Sequence, residues 1–316
     1  MTNSVPPGVP PSRAVDALLE GLVDYAGLFP PANENMRQAL AGYASYLTGS
    51  DRSALGRLIV PRSRLEEFED AAAEFLPRHP EAAPWKLSVI ATGDIGAAAS
   101  AIASFNRRHS DTKEGLALID VAELKASSPS EIERQRSALP ALCTCYFEIP
   151  LDGDLPAMLK SLVRVRSRAK IRTGGVTPDA FPSADAIINF LVASHHEGVP
   201  FKATAGLHHP VRGAYRLTYE PGGASGTMYG FLNLFLAAGL IAAGGDRDDA
   251  RAILEESDAG AFSFSDDAIG WRGHRFDVSQ IRALRRGFAI SFGSCSFREP
   301  VDELESLARS VGAGTR

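Results

Sequence analysis

The sequence predicts an α/β fold and, within that class, a closed (β/α)8 TIM barrel, on three observations. Eight apolar or β-branched runs occur at Val23, Leu58, Val89, Leu118, Phe147, Ile171, Lys202 and Ile290, most separated by one segment of helical periodicity. Strands that are apolar along their length suit a parallel sheet covered on both faces by helices. The polar residues Asp24, Asp120, Glu148, Lys170, Lys202 and Ser294 fall at or near the carboxyl ends of these runs. A closed barrel gathers strand ends into one site, whereas an open doubly wound sheet would scatter the outermost ones.

The elements follow in order. GLVDYAGLFPP is an apolar run broken by Asp24 and closed by Pro30 and Pro31, and NENMRQALAGYASYLTG continues with helical spacing. ALGRLIVP predicts a strand, and SRLEEFEDAAAEFLPRH a helix with apolar residues recurring at three and four. WKLSVIATG and IGAAASAIASFNRRH make the next strand and helix; GLALIDVAELKA is a strand, and SPSEIERQRSALP opens on helix-capping residues. CTCYFEIPL and GDLPAMLKSLVRVRSR repeat the unit. Two lysine-bearing strands, AKIRTGGVTP and PFKATAGLHHP, flank the helical DAIINFLVASHHEG. After Pro210 the alternation lapses, and RRGFAISFGSCSFREPVDELESL supplies the last strand, turn and helix. The expected organisation is a flexible proline-rich tail over residues 1–16 and one barrel domain over 17–310, with an insertion over about 208–287 between strands seven and eight.

Composition narrows the function classes. A chain of 316 residues, 45% hydrophobic, can bury a large core. A net charge of -5 and a pI near 5.8 argue against a nucleic-acid partner. The longest apolar segment, GFLNLFLAAGLIAAGG, falls short of the ~20 residues of a membrane span, so no membrane partner is expected. The N-terminus has no apolar signal core, and three cysteines, Cys143, Cys145 and Cys295, form no disulfide framework; both suit a reducing cytoplasm. Neither GxGxxG after the first strand nor GxxxxGK[ST] is present, and no cofactor is expected.

The two lysines carry the chemistry. A β-α-β crossover sets Lys170 and Lys202 on neighbouring strands, roughly 5 Å apart at the backbone. Two ammonium groups that close disfavour each other's charge, and a neutral amine beside a cationic one is what a Schiff base with a carbonyl substrate requires. Glu148, on strand five, is an acid/base candidate or the counter-ion of Arg172. Arg172, Thr173, Gly174 and Gly175 form a cationic, backbone-rich turn suited to a carboxylate or phosphate. The turn Gly293-Ser294-Cys295-Ser296 precedes a helix, as anion sites do. Cys295 lacks a nearby His-Asp pattern and is expected to be a buried thiol.

These segments resemble the deoxyribose-phosphate aldolases and their class I aldolase relatives. VDYAGLFPP matches the family's opening IDHTLL-P motif; KIRTGG at Lys170 matches KTSTGF, which carries the Schiff-base lysine; KATAGLH at Lys202 matches KASGGIR; GSCSF at Gly293 matches the GTSSG phosphate loop; and LIDVAE sets Asp120 in place of the catalytic aspartate. The motifs keep the family's order from Val23 to Phe297. The resemblance implies a barrel lyase acting on a small, anionic carbonyl substrate. Lys170, Lys202, Asp120 and Glu148 would be catalytic, and Asp24, Thr204, Gly206, His208, Gly293 and Ser294 would join the Arg172–Gly175 turn in binding. Arg172 in place of a small residue, and Ala205-Gly206-Leu207-His208 in place of Gly-Gly-Ile-Arg, depart from the pattern and point away from deoxyribose phosphate itself.

Two other readings compete. His208 and His209 with the strand-end carboxylates Asp24, Asp120 and Glu148 could hold a divalent metal in a barrel hydrolase or lyase. A non-catalytic barrel could use the apolar Gly230–Ala243 segment as a subunit contact in a homo-oligomer. His195 and His196, at a helix C-terminus, are expected to be solvated.

Overall fold

The structure, a computed structural model, describes residues 12–313. Most of the expected N-terminal tail lies outside these residues, but its last part is ordered. Ser12 caps a helix, Arg13–Leu19, by accepting from the Val15 N–H, and four of that helix's seven residues sit inside the stretch expected to be flexible.

Thirteen strands are present among the described residues: β1 (Val23–Tyr25), β2 (Leu55–Pro61), β3 (Trp85–Ile90), β4 (Ala117–Lys125), β5 (Thr144–Glu148), β6 (Arg168–Arg172), β7 (Phe201–Thr204), β8 (Gly213–Arg216), β9 (Ser225–Met228), β10 (Phe262–Phe264), β11 (Ala268–Trp271), β12 (His274–Asp277) and β13 (Ala289–Ser294). Strands β1 to β7 pair in sequence order, and β13 closes the ring between β7 and β1, every pair parallel. This is a (β/α)8 TIM barrel, and all eight expected strand positions lie in its eight strands.

Local chemistry sets the helix boundaries. Asn35 and Gln38 form a capping box on helix Met36–Thr48, and Ser128 caps Pro129–Ala138 by accepting from the Glu131 N–H. The helices bury one face each against the outside of the barrel, where aromatic rings meet edge to face, as in Phe190–Phe201 and Phe201–Phe288.

The insertion between β7 and β13 carries a hairpin (β8, β9), an antiparallel sheet (β10–β12) and helices Phe231–Ala242, Arg247–Glu255 and Val278–Gly287. Helix Phe231–Ala242 is apolar all round, and Phe231 through Ile241 are buried within the chain itself. Phe231 stacks on Phe292 of β13 at 5.1 Å. The segment expected to be a subunit contact is therefore core: a helix without a polar face must be enclosed, and the insertion encloses it. No helix among the described residues is long and apolar enough to cross a membrane.

A buried cation bridges two segments at the amino end of the barrel. Arg285 donates from Nε to the Leu18 carbonyl (2.9 Å), from Nη1 to Ala289 (2.9 Å) and Ile290, and from Nη2 to Glu20 (2.8 Å). These carbonyls belong to the segments that enter β1 and to β13, so one side chain ties both to helix Val278–Gly287. Burial pushes the guanidinium pKa down to about 10, so it stays charged at neutral pH. Arg285→Met would orphan these carbonyls, and a loss of about 3 kcal/mol in urea unfolding is expected.

Candidate active site

The barrel interior holds a chain of alternating charges. Glu123, Lys170 and Lys202 each stand two residues before the end of β4, β6 and β7, and Glu148 ends β5. The register pairs Glu148 with Lys170 and Lys170 with Lys202, so these side chains share a face. Lys202 reaches Glu123, three strands away, which is feasible only through the interior.

Glu123 is the hub. Its Oε1 accepts from Lys202 Nζ at 2.7 Å and from Ser88 Oγ at 2.7 Å, while its Oε2 lies 2.9 Å from Lys170 Nζ. One carboxylate thus separates the two ammonium nitrogens, which lie within about 8 Å of each other. Lys202 donates also to Asp24 Oδ2 at 2.6 Å. Asp24 is fixed in turn by Ser291 Oγ (2.9 Å) and by the Arg57 backbone N–H (2.8 Å). Gly56 leaves the room for this, because a Cβ there would stand 2.3 Å from Asp24 Oδ1. Lys170 has a second partner, Glu148 Oε2 at 3.1 Å, and Glu148 Oε1 accepts from Arg172 Nε at 3.0 Å, with Lys125 at 3.4 Å.

Burial is extreme: Glu123 and Lys202 are 1% exposed, and Lys170 is 5% exposed. Burial alone would raise the pKa of Glu123, but Lys170 and Lys202 overcome it and hold the carboxylate far below its ordinary range. Burial would likewise lower Lys202, and Asp24 and Glu123 more than reverse it, so Lys202 is a fixed cation. Glu148 follows the same rule, lowered by Lys170 and Arg172 against its own burial. The expected mutual depression of two bare ammonium groups is not the arrangement found, because carboxylates stand between and around them.

Several expected site residues do meet here. Asp24, Glu148, Lys170 and Lys202 are in contact as described, and Thr204 pairs in register with Arg172 on one side and Gly293 on the other, above the lysines. Asp120 does not join them. It is the fourth of nine residues in β4, not a strand end, and both its oxygens accept from Arg57, at 2.6 and 2.8 Å. The register slips there, Leu87 pairing with Ile119 but Ser88 with Val121, so Asp120 is a bulge residue turned to a lower layer. Tyr146 lies in that region, accepting from Arg168 at 2.8 Å and presenting its ring 5.6 Å from Lys202 Nζ.

The expected anion turns are built differently. Thr173 Oγ1 donates to the Ala205 carbonyl at 2.7 Å, and a Cβ on Gly174 or Gly206 would strike Phe181, at 2.4 and 2.8 Å. Gly206 has φ +71, which leaves glycine as the natural residue. Gly175 is similarly confined by Ala180. These residues pack a tight turn against Phe181 and Ala180. Ser294 pairs in register with Tyr25, on the face turned to the helices, and its Oγ accepts from the Ser296 N–H. Ser296 Oγ in turn accepts from the Glu299 N–H, and Glu299 lines one cleft with Cys295 and Ser296.

His208 and His209 reach this rim and not the strand-end carboxylates expected to hold a metal with them. His208 Nδ1 lies 3.2 Å from Glu299 Oε2 and 3.9 Å from Cys295 Sγ; His209 Nδ1 lies 2.8 Å from Glu303. Burial works against the charge of His208, but Cys295 and Glu299 carry its pKa up to about 9. Cys295 thus has a histidine neighbour that no local sequence pattern revealed. His195 and His196 are exposed, as expected.

A cleft of about 680 Å³ opens beside the buried lysines, lined by Lys125, Ser127, Glu148, Asp152, Arg172 and Phe181 among others. Glu148 belongs to both, touching Lys170 on one side and the cleft on the other. Glu123, Ser88, Ser291 and Arg57 escaped the sequence reading. Glu123 was accessible in principle, being three residues nearer the strand's carboxyl end than Asp120; Ser88 and Ser291 are single hydroxyls inside apolar runs.

Fold and site together define a TIM barrel with a buried lysine–glutamate–lysine centre near its carboxyl face. No family model matches the chain, and a search of curated proteins finds no match.

Removing the hub should be costly. Glu123→Gln leaves two buried ammonium groups short of a counter-charge, and urea unfolding at neutral pH should show a loss of about 3–5 kcal/mol. The pH dependence has a definite sign. The lowered Glu123 contributes stability above its ordinary 4.5 and loses it as pH falls through its folded value. The raised Lys202 contributes fully below its ordinary 10.5 and loses it as pH climbs through its folded value. Between about pH 5 and 10 the wild-type stability contributed by this pair should be flat, and a slope there that vanishes in Glu123→Gln would contradict the assignment.

Proposed function

We propose that the chain is a lyase of the Schiff-base, aldolase-like class, which makes or breaks a carbon–carbon bond beside the carbonyl of a small substrate held on Lys170. The supporting observation is the unequal setting of two adjacent lysines on one buried carboxylate. Lys202 is clamped by Asp24 and Glu123 at 2.6 and 2.7 Å and is held charged. Lys170 has longer contacts, and one of them is to Glu148, the residue shared with the cleft. The lysine nearer the cleft is the one a carbonyl would meet.

Glu148 is the proton carrier in this scheme. Its Oε2 is buried, lies 3.1 Å from Lys170 Nζ, and has no partner in hydrogen-bond geometry among the described residues. It takes a proton from the Lys170 ammonium, and the freed amine attacks the carbonyl carbon. The C–N bond forms, the carbonyl electron pair moves to oxygen, and that oxygen takes the extra proton of the newly bonded nitrogen to give a carbinolamine. Loss of water, with the proton returned by Glu148, leaves an iminium ion. The iminium accepts the electron pair of the bond between its α and β carbons as it breaks, and the β-hydroxyl passes its proton to the Glu148 carboxylate and leaves as a carbonyl. Protonation of the enamine at its α carbon, followed by hydrolysis, frees the amine. Lys202 and Glu123 hold the field constant through these steps.

Arg172 is 47% exposed and uses only Nε on Glu148, so its terminal nitrogens face the mouth without a partner among the described residues. They suit a carboxylate or other anionic group on the substrate. The resemblance to class I aldolases supports the chemistry; Arg172 and the Ala205-Gly206-Leu207-His208 turn, which depart from the family's pattern, favour a substrate other than deoxyribose phosphate. Three free cysteines suit action in a reducing compartment.

The test is reductive trapping. The protein incubated with small aldehydes and 2-oxo acids, then borohydride, should carry a stable secondary amine on the peptide containing Lys170. Lys170→Ala should abolish the adduct and lower turnover at least about a thousandfold, and Glu148→Gln should slow adduct formation by about 10²–10⁴. An adduct on Lys202, or none with any carbonyl in the panel, would overturn the proposal.

A further inference from the structure

The rim between β7 and the last helix, Arg298–Ala313, holds a cluster that the proposed chemistry does not use. His209 lies in the turn after β7, and Glu299 and Glu303 stand one helical turn apart on that helix. One donor atom from each of the three lies within 4.8 Å of the others, and His209 Nδ1 is 2.8 and 3.0 Å from the two oxygens of Glu303.

We propose that His209, Glu299 and Glu303 bind a divalent first-row transition-metal ion, with Zn²⁺ as the type ion. Three features favour a metal over a simple ion pair. Two carboxylates four residues apart on one helix face repel each other, and a dication offsets both charges at once. The His209 ring is set in advance: it stacks on Tyr215 at 3.6 Å with 16° between planes, and Tyr215 is itself fixed by donating to the Val211 carbonyl at 2.8 Å. Glu299 is oriented too, since its Oε2 accepts from Tyr219 at 3.0 Å and lies 3.2 Å from His208 Nδ1, leaving Oε1 for the ion. Outer partners of this kind position metal ligands.

Size and donor type agree. Metal–nitrogen and metal–oxygen bonds of about 2.1 Å place donors up to about 4.2 Å apart, so the three atoms need only a small closure. An imidazole with two carboxylates suits zinc, manganese or ferrous iron, and less well calcium or magnesium, which take oxygen donors alone. Three protein ligands leave positions for water, and one of them, Glu299, also lines a cleft of about 330 Å³ with Tyr25, Glu34, Tyr219, Cys295 and Ser296. None of the three ligands touches Lys170 or Lys202, so this site stands apart from the proposed imine chemistry.

The full chain, stripped with chelator and dialysed, should take up one equivalent of Zn²⁺ in calorimetric titration and melt at a higher temperature with it. Co²⁺ in its place should give a visible absorption band. Glu303→Gln, which keeps the side-chain shape, and His209→Ala should each weaken Zn²⁺ at least about tenfold and remove the melting shift. Glu305→Gln, on the same helix outside the cluster, should bind as the wild type does. Failure of the folded wild type to bind Zn²⁺ better than Glu303→Gln would overturn the proposal, as would full binding retained by both ligand variants. Borohydride trapping at Lys170 is read separately and should not change in Glu303→Gln.

Discussion

Everything at the centre of this barrel depends on the two oxygens of Glu123 reaching two different lysines. A single buried carboxylate has to offset charge on β6 and on β7 from its place on β4, and it can do so only if the sheet closes. Opening the sheet would leave either Glu123 or the lysines without partners in a low-dielectric interior, which costs several kcal/mol per ion. The network therefore ties ring closure to charge balance. Ser88 and Asp24 extend the same logic to β3 and β1, and Glu148 on β5, Ser291 on β13 and the Arg57 N–H on β2 complete it, so all eight strands contribute a polar atom to one connected set.

Such a set is a poor device for stability alone. A well-packed apolar layer of equal volume would serve the barrel as well or better, because the attraction between buried ions barely repays their desolvation. Its arrangement is instead graded. Lys202 and Glu123 lie deepest and are locked, Lys170 has one locked and one looser partner, and Glu148 adjoins the cleft. Charged groups graded from a rigid interior to an accessible edge are what proton transfer at a fixed amine requires, and this grading supports the proposed reading better than the fold does.

The sequence made the framework and the lysine pair legible because both follow from short-range rules. Strand and helix periods alternate, and a β-α-β crossover makes Lys170 and Lys202 neighbours, as the register shows. Glu148 was legible for the same reason, lying on the preceding strand. Glu123 was hidden by the bulge at Asp120, which inserts one residue and resets the alternation along β4, so a motif match selected Asp120, which meets Arg57, and passed over the carboxylate that meets the lysines. The glycines of the expected anion turn also serve tight packing against Phe181, a use the Thr-Gly-Gly pattern does not disclose. Sequence pattern cannot separate these uses; the space beside the glycine Cα does.

The rim cluster marks the limit of local reasoning. His208 meets Glu299 across 91 positions and His209 meets Glu303 across 94, with a whole insertion between. Adjacent histidines were expected to seek the strand-end carboxylates, but each of those already had a cation: Asp24 has Lys202, Asp120 has Arg57, and Glu148 has Lys170 and Arg172. The histidines are left to the last helix, which carries Glu299 in its first turn and Glu303 in the next. The helix that follows the expected anion turn thus begins with a carboxylate already shared with His208, and under the metal proposal Glu299 gives this rim to a cation.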